Sequence, residues 1–121
     1  MKLLIVDDSN VIRQRIARTV ADPRLPAIEV VGMARNGVAA IAMFNLHKPQ
    51  LVTMDLTMPE MDGVQCTERL TSIDPAAMIL VVSALSDKAT AIKALQKGAR
   101  GFLYKPFTDE QLITALLELV S

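Results

Sequence analysis

The sequence predicts a doubly wound α/β fold, a five-stranded parallel sheet with five helices spread over both faces. Three observations carry this expectation. Short aliphatic runs alternate five times with longer stretches of helical spacing. The runs are nearly continuous in apolar residues rather than alternating, as burial on both faces of a parallel sheet requires. At 121 residues and 51% hydrophobic, the chain has the size of one domain and material for one core.

The first run, Lys2–Val6, is followed by Ile12, Ile16 and Val20, a helical face at four-residue intervals. The second strand is expected at Ile28–Met33. Asn36 then offers an N-cap for a helix carrying Val38, Ile41, Ala42 and Phe44. The third strand, Leu51–Met54, precedes a shorter helix from Gly63 to Leu70. The fourth, Met78–Val82, leads to a helix that Ser86 is expected to cap and that carries Ile92 and Leu95. The fifth, Gly101–Tyr104, is followed by Thr108 and Gln111 at capping-box spacing and a last helix through Val120. The whole chain, residues 1–121, is expected to be one domain.

Composition narrows the function. Basic and acidic residues number 13 each, a formal net charge of zero, which argues against a bulk electrostatic grip on nucleic acid or an anionic membrane. No apolar run approaches the roughly 20 residues that span a bilayer. The apolar start, Met1–Val6, runs straight into Asp7-Asp8 without a signal-peptide cleavage site, so the expected compartment is the cytoplasm. Cys66, the one cysteine, rules out an internal disulfide and is expected to be a small semi-buried apolar residue. His47, the one histidine, is expected as a cap near a helix end. No Gly-rich phosphate loop of Walker or dinucleotide type is present.

In a sheet of this kind ligands bind outside the carboxyl ends of the strands. Asp7-Asp8 stand at the end of the first strand and Asp55 at the end of the third. Ser83-Ala84 end the fourth, and Tyr104-Lys105-Pro106 end the fifth. Each residue alone has a plain role: an Asp or Ser after a strand caps a turn, and a Lys before Pro is a loop charge. Together they place three carboxylates, a hydroxyl and an ammonium on one edge. Clustered carboxylates repel one another and call for a cation. Mg²⁺ suits a site of one or two carboxylates, a backbone carbonyl and retained waters. Asp55 can then act as a nucleophile toward phosphorus, with Lys105 and the ion balancing charge and Ser83 donating a hydrogen bond.

At these residues the sequence resembles the response-regulator receiver family, in its single-domain CheY-like form. The resemblance runs from Lys2 to about Val120. It rests on Val6-Asp7-Asp8-Ser9, on Met54-Asp55-Leu56-Thr57-Met58-Pro59-Glu60-Met61-Asp62-Gly63, on Val82-Ser83-Ala84, on Gly98-Ala99 and on Gly101-Phe102-Leu103-Tyr104-Lys105-Pro106-Phe107. The resemblance implies strand order 2-1-3-4-5. It implies Asp55 as phospho-acceptor. Mg²⁺ is then held by the side chains of Asp8 and Asp55 and the Thr57 carbonyl, with Asp7 acting through a metal-bound water. Ser83 and Lys105 would assist transfer, across an expected cis Lys105-Pro106 bond. Phe102, a Phe where some chemotaxis regulators have Tyr, falls at the switch-aromatic position, turning inward as Ser83 moves.

The implied activity is a phosphorylation switch rather than an enzyme. The phosphoryl group would come from a sensor histidine kinase or histidine phosphotransferase. A downstream effector protein would read a surface of the fourth helix, fifth strand and fifth helix, including Lys93, Lys97, Phe102, Ile113 and Leu117. Ile113 and Leu117, at one margin of the last helix, are expected to remain exposed for a partner or a phosphorylation-induced homodimer. Thr57 and Leu85 cannot orient water as a carboxylate or amide would, so slow self-dephosphorylation is expected. A haloacid-dehalogenase-type phosphohydrolase uses a similar residue set but needs a second Asp two places after the nucleophile, where Thr57 stands. An unphosphorylated scaffold of receiver shape is a further alternative. A stand-alone regulator is expected over one with an output domain.

Overall fold

The five apolar runs form one parallel sheet: β1 Lys2–Val6, β2 Glu29–Ala34, β3 Leu51–Met54, β4 Met78–Ala84 and β5 Gly101–Lys105, in the order β2-β1-β3-β4-β5. This is a computed structural model, and it describes every residue, Met1–Ser121. Between the strands lie α1 Asn10–Thr19, α2 Gly37–His47, α3 Gly63–Ile73, α4 Lys88–Gln96 and α5 Asp109–Val120. Successive strand residues point to opposite faces, and the aliphatic side chains divide accordingly. Leu4, Val6, Val52, Met54, Ile79 and Val81 pack in one layer with Phe44, Cys66, Leu70, Ala91 and Ala94, beneath α2, α3 and α4. Leu3, Ile5, Leu51, Leu80 and Val82 pack in the other with Ile16, Val20, Leu112, Ile113 and Leu116, beneath α1 and α5.

Local chemistry sets most boundaries. Ser9, Asn36, Asp62 and Thr108 each accept a backbone N–H at a helix start, and Thr108 completes its capping box with Gln111. The α2 helix stops at His47, where Lys48 turns left-handed at φ 49°. Strand β2 lies one residue later than expected, β4 continues to Ala84, β5 to Lys105, and α3 to Ile73. Ser83 and Lys105 therefore sit within the paired strands.

Two expectations are overturned. Ser86 does not cap α4: the chain leaving β4 first tightens into a 3₁₀ turn, Leu85–Asp87, and α4 begins after Asp87 without a side-chain cap bond. The Lys88 N–H bonds back to the Leu85 carbonyl, so the turn itself satisfies a donor that Ser86 was expected to serve. Ile113 is not exposed. It is buried in the layer beneath α5, while Leu117, one turn on, is 38% exposed. On α4 the buried positions are Ala91 and Ala94, with Ile92 facing outward, so the helix lies close to the sheet.

Candidate functional site

The connections leave β1 and β3 toward opposite edges of the sheet, which opens a crevice between their carboxyl ends. Backbone pairing continues one step beyond each strand: the Asp7 N–H donates to the Ala34 carbonyl at 3.0 Å and the Asp55 N–H to the Val6 carbonyl at 2.9 Å. Asp7 and Asp55 are thereby fixed side by side, both buried, and Asp8 stands exposed beside them. One carboxylate oxygen from each of the three lies within 4.8 Å of the others.

The remaining groups close around them. The Lys105 Nζ lies 2.8 Å from Asp7 Oδ2 and 3.5 Å from Asp55 Oδ1. The shorter contact is an ion contact without hydrogen-bond alignment, so Asp7 Oδ2 has no hydrogen-bond partner. Asp7 Oδ1 accepts the Ser9 N–H at 2.9 Å, and Arg13 donates to the Asp7 carbonyl at 2.6 Å. The Thr57 N–H approaches Asp55 Oδ1 at 3.4 Å, and the Thr57 hydroxyl donates to Asp87 at 3.3 Å. Ser83 is buried with its Oγ lacking any partner. The Lys105-Pro106 peptide is cis.

The loop from Leu56 to Asp62 is anchored from inside. Leu56 and Met58 are buried, and the Gly63 N–H donates to the Leu56 carbonyl at 2.9 Å. A Cβ on Gly63 would stand 2.2 Å from the Asp55 carbonyl oxygen, so α3 can start this close only with glycine there. The sequence presented Gly63 as a helix start, and its service to Asp55 was not legible. Arg13 was missed as well, although its place one helical turn beyond Ser9 was a usable signal.

Electrostatics follow from the crowding. Asp55 is pushed up from 3.8 to about 6, by burial first and then by the Asp7 charge, with Lys105 and the Thr57 N–H pulling weakly the other way. Burial works against the Lys105 ammonium, but its contacts with Asp7 and Asp55 outweigh that and hold it above its ordinary value. Three carboxylates less one ammonium leave two negative charges at the edge. An all-oxygen donor set, whose buried Asp7 Oδ2 meets only the Lys105 ammonium, fits a hard divalent cation. Charge, not concavity, marks the site: the largest hollow lies elsewhere, between α1 and α5, and its walls pair internally through Arg15, Thr19 and Asp109.

The other residues singled out from sequence are dispersed. Phe102 is 41% exposed on β5, its ring 5.2 Å from that of Tyr104. Lys93 is exposed on α4 and Lys97 is exposed at its C-cap, where it pairs with Glu68 of α3 at 2.8 Å. Cys66 is buried, and burial and then Asp62 push its thiol up to about 12, which leaves it an apolar filler. His47 is the last residue of α2.

The sequence model of the response regulator receiver domain matches residues 3–117. The chain belongs to that family. The chemotaxis protein CheY of Listeria monocytogenes is 39% identical over 116 residues, 96% of this chain and 95% of that protein. The receiver domain of the putative response regulator NarL from Mycobacterium tuberculosis superposes with a TM-score of 0.85 at 32% identity, covering 97% of this chain and 93% of that one. The CheX–CheY–BeF₃–Mg²⁺ complex from Borrelia burgdorferi superposes with a TM-score of 0.91 at 26% identity, covering 100% and 90%. The protein is thus a CheY-like receiver of a two-component system, a signalling switch of the kind that works between kinases and effectors.

Proposed function

We propose that this receiver takes a phosphoryl group onto Asp55 from a phosphohistidine of a sensor histidine kinase or histidine phosphotransferase. The observation that carries this reading is the buried, crowded carboxylate of Asp55 with Lys105 at 3.5 Å and a partnerless buried Ser83 hydroxyl on the same sheet edge. An Asp55 carboxylate oxygen attacks phosphorus as the donor's P–N bond breaks and its electron pair leaves with the imidazole. Lys105 trades contact with Asp7 and Asp55 for a phosphoryl oxygen, and the Ser83 O–H donates to another. Asp7, Asp8, Asp55 and the Thr57 carbonyl would hold Mg²⁺, which when bound supplies the positive charge that lets the acyl phosphate form beside two other carboxylates.

The new group adds roughly −1.5 to −2 charge. The resulting pull on Ser83 repacks α4, β5 and α5, where Lys93, Lys97, Phe102 and Leu117 face outward to an effector protein or to a second copy of the chain. This is a population shift between two packings of one domain. The switch operates in the cytoplasm, where its kinase donors present phosphohistidine. Loss of the phosphoryl group to water is slow, since Leu85 is apolar and the Thr57 hydroxyl is turned to Asp87.

Intact mass after incubation with acetyl phosphate or phosphoramidate tests this. Wild type is expected to gain one phosphoryl group with Mg²⁺, and neither wild type in EDTA nor Asp55→Asn should gain it. No gain in any condition would favour a receiver-shaped scaffold.

A further inference from the structure

The chain passes from β1 into α1 over Asp7, Asp8 and Ser9, and the acidic pair lies on that turn. The Asp7 N–H is fixed by the Ala34 carbonyl, but the Asp7 carbonyl lies beyond the paired strand and no backbone N–H reaches it. Asp7 is buried, so this oxygen needs a donor from elsewhere in the chain. Helical side chains lean toward the helix N-terminus, which carries Arg13, one turn past the Ser9 cap, back over the turn that precedes its own helix. Its Nη1 donates to the Asp7 carbonyl at 2.6 Å and its Nη2 to the Asn10 side chain at 3.4 Å. The Asp7 carbonyl and the Asp8 N–H belong to one rigid peptide plane. Holding that carbonyl therefore fixes the plane from which the Asp8 side chain departs.

Two cations attend the acidic cluster in different ways. Lys105 lies against carboxylate oxygens, 2.8 Å from Asp7 and 3.5 Å from Asp55, and so competes with a metal for the same atoms. Arg13 donates only to a backbone carbonyl and an amide oxygen, which leaves the carboxylates free. We propose that Arg13 is a positioning residue for the divalent cation: its bond to the Asp7 carbonyl holds the exposed Asp8 carboxylate within reach of Asp55. This rests on the Mg²⁺ site proposed above. A brace and a plain charge have opposite signs here. Loss of a cation beside a cation site tightens binding, by up to about threefold for a screened charge. Loss of a brace weakens it, and partners that orient metal ligands are worth about 10–100-fold in affinity.

The experiment titrates Mg²⁺ into wild type, Arg13→Met, Arg13→Lys, Arg18→Met and Ile16→Val, following the amide NMR shifts of Asp8 and Asp55. Arg18 is exposed on the same helix, so its variant removes a charge and leaves the brace. Ile16 is buried on that helix, so its variant loses stability and leaves the brace. Arg13→Met is expected to bind Mg²⁺ roughly tenfold more weakly. Arg13→Lys, which keeps a donor, should lie nearer wild type, and Arg18→Met and Ile16→Val should bind no more weakly than wild type. Amide exchange in EDTA reads the turn without metal. The Ser9 N–H, bonded to Asp7 Oδ1 at 2.9 Å, should exchange up to about tenfold faster in Arg13→Met, with Leu116 of α5 unchanged. Unchanged or tighter binding in Arg13→Met overturns the brace and leaves the Mg²⁺ site standing. Equal weakening in Ile16→Val also overturns it, by making the effect one of stability. No binding by wild type overturns the Mg²⁺ site and the brace with it.

Discussion

At the scale of single residues, Gly63 shows how Asp55 is held. A methyl group there would meet the Asp55 carbonyl oxygen at 2.2 Å and the Leu56 Cα at 2.6 Å, both backbone atoms that cannot swing aside. Gly63→Ala must therefore push α3 away from the end of β3 or shift Asp55 itself. The expected cost is about 1–3 kcal/mol in stability, as for other overpacked positions, together with weaker Mg²⁺ binding and slower phosphate uptake. Urea unfolding and a Mg²⁺ titration of the same sample check both, and an unaltered Mg²⁺ affinity would mean that the loop yields without moving Asp55. The place of Asp55 at the end of β3, beside Asp7 and Asp8, was legible from sequence, because it directly follows a continuous apolar run. The role of Gly63 was not, because a clash between backbone atoms eight positions apart leaves no mark in residue type beyond the glycine.

Among the elements, α5 has its start specified locally and its orientation specified globally. Thr108 and Gln111 exchange bonds with each other's backbone at 3.1 and 2.9 Å, satisfying donors that the first helical turn leaves open. Thr108→Ala is expected to cost about 1 kcal/mol, read as a lower urea midpoint with unchanged slope. A change in slope would mean instead that the compactness of one of the states had changed. The box was legible because it spans four residues. Which flank of α5 meets the sheet was not: Leu112, Ile113 and Leu116 are buried and Leu117 is exposed, and a broad apolar arc is compatible with several rotations of the helix. Ser86 failed as a cap for a related reason. The length of β4 decides where the next turn begins, and β4 runs to Ala84 by pairing with Lys105 of β5.

For the molecule as a whole, the clustered charge is expected to make stability depend on pH and on added Mg²⁺. With Asp55 raised to about 6 from an ordinary 3.8, the folded state binds this proton more tightly than the unfolded chain does. The stabilisation from this group is then fully present below about pH 4 and lost as pH rises through about 6. In EDTA, wild-type Tm relative to that of Asp55→Asn should fall across this window, leaving the variant the more stable at pH 7, by about 4 °C for each kcal/mol. Mg²⁺, which favours the charged carboxylate, should reverse the order at pH 7. Calorimetry from pH 4 to pH 8 decides this, and parallel curves for the two proteins would show that Asp55 does not titrate in the window. By itself the sequence determined the alternation of strand and helix, the caps Asn36 and Thr108, and the carboxylates, hydroxyl and ammonium that stand at strand ends. Those features depend on periodicity and on hydrogen bonds spanning one turn. Only the tertiary structure decided that Ile113 is inside, that Lys105 rests against Asp7 and that Gly63 abuts Asp55. Each of these depends on strand register and helix rotation, which are set by packing between segments far apart in the chain.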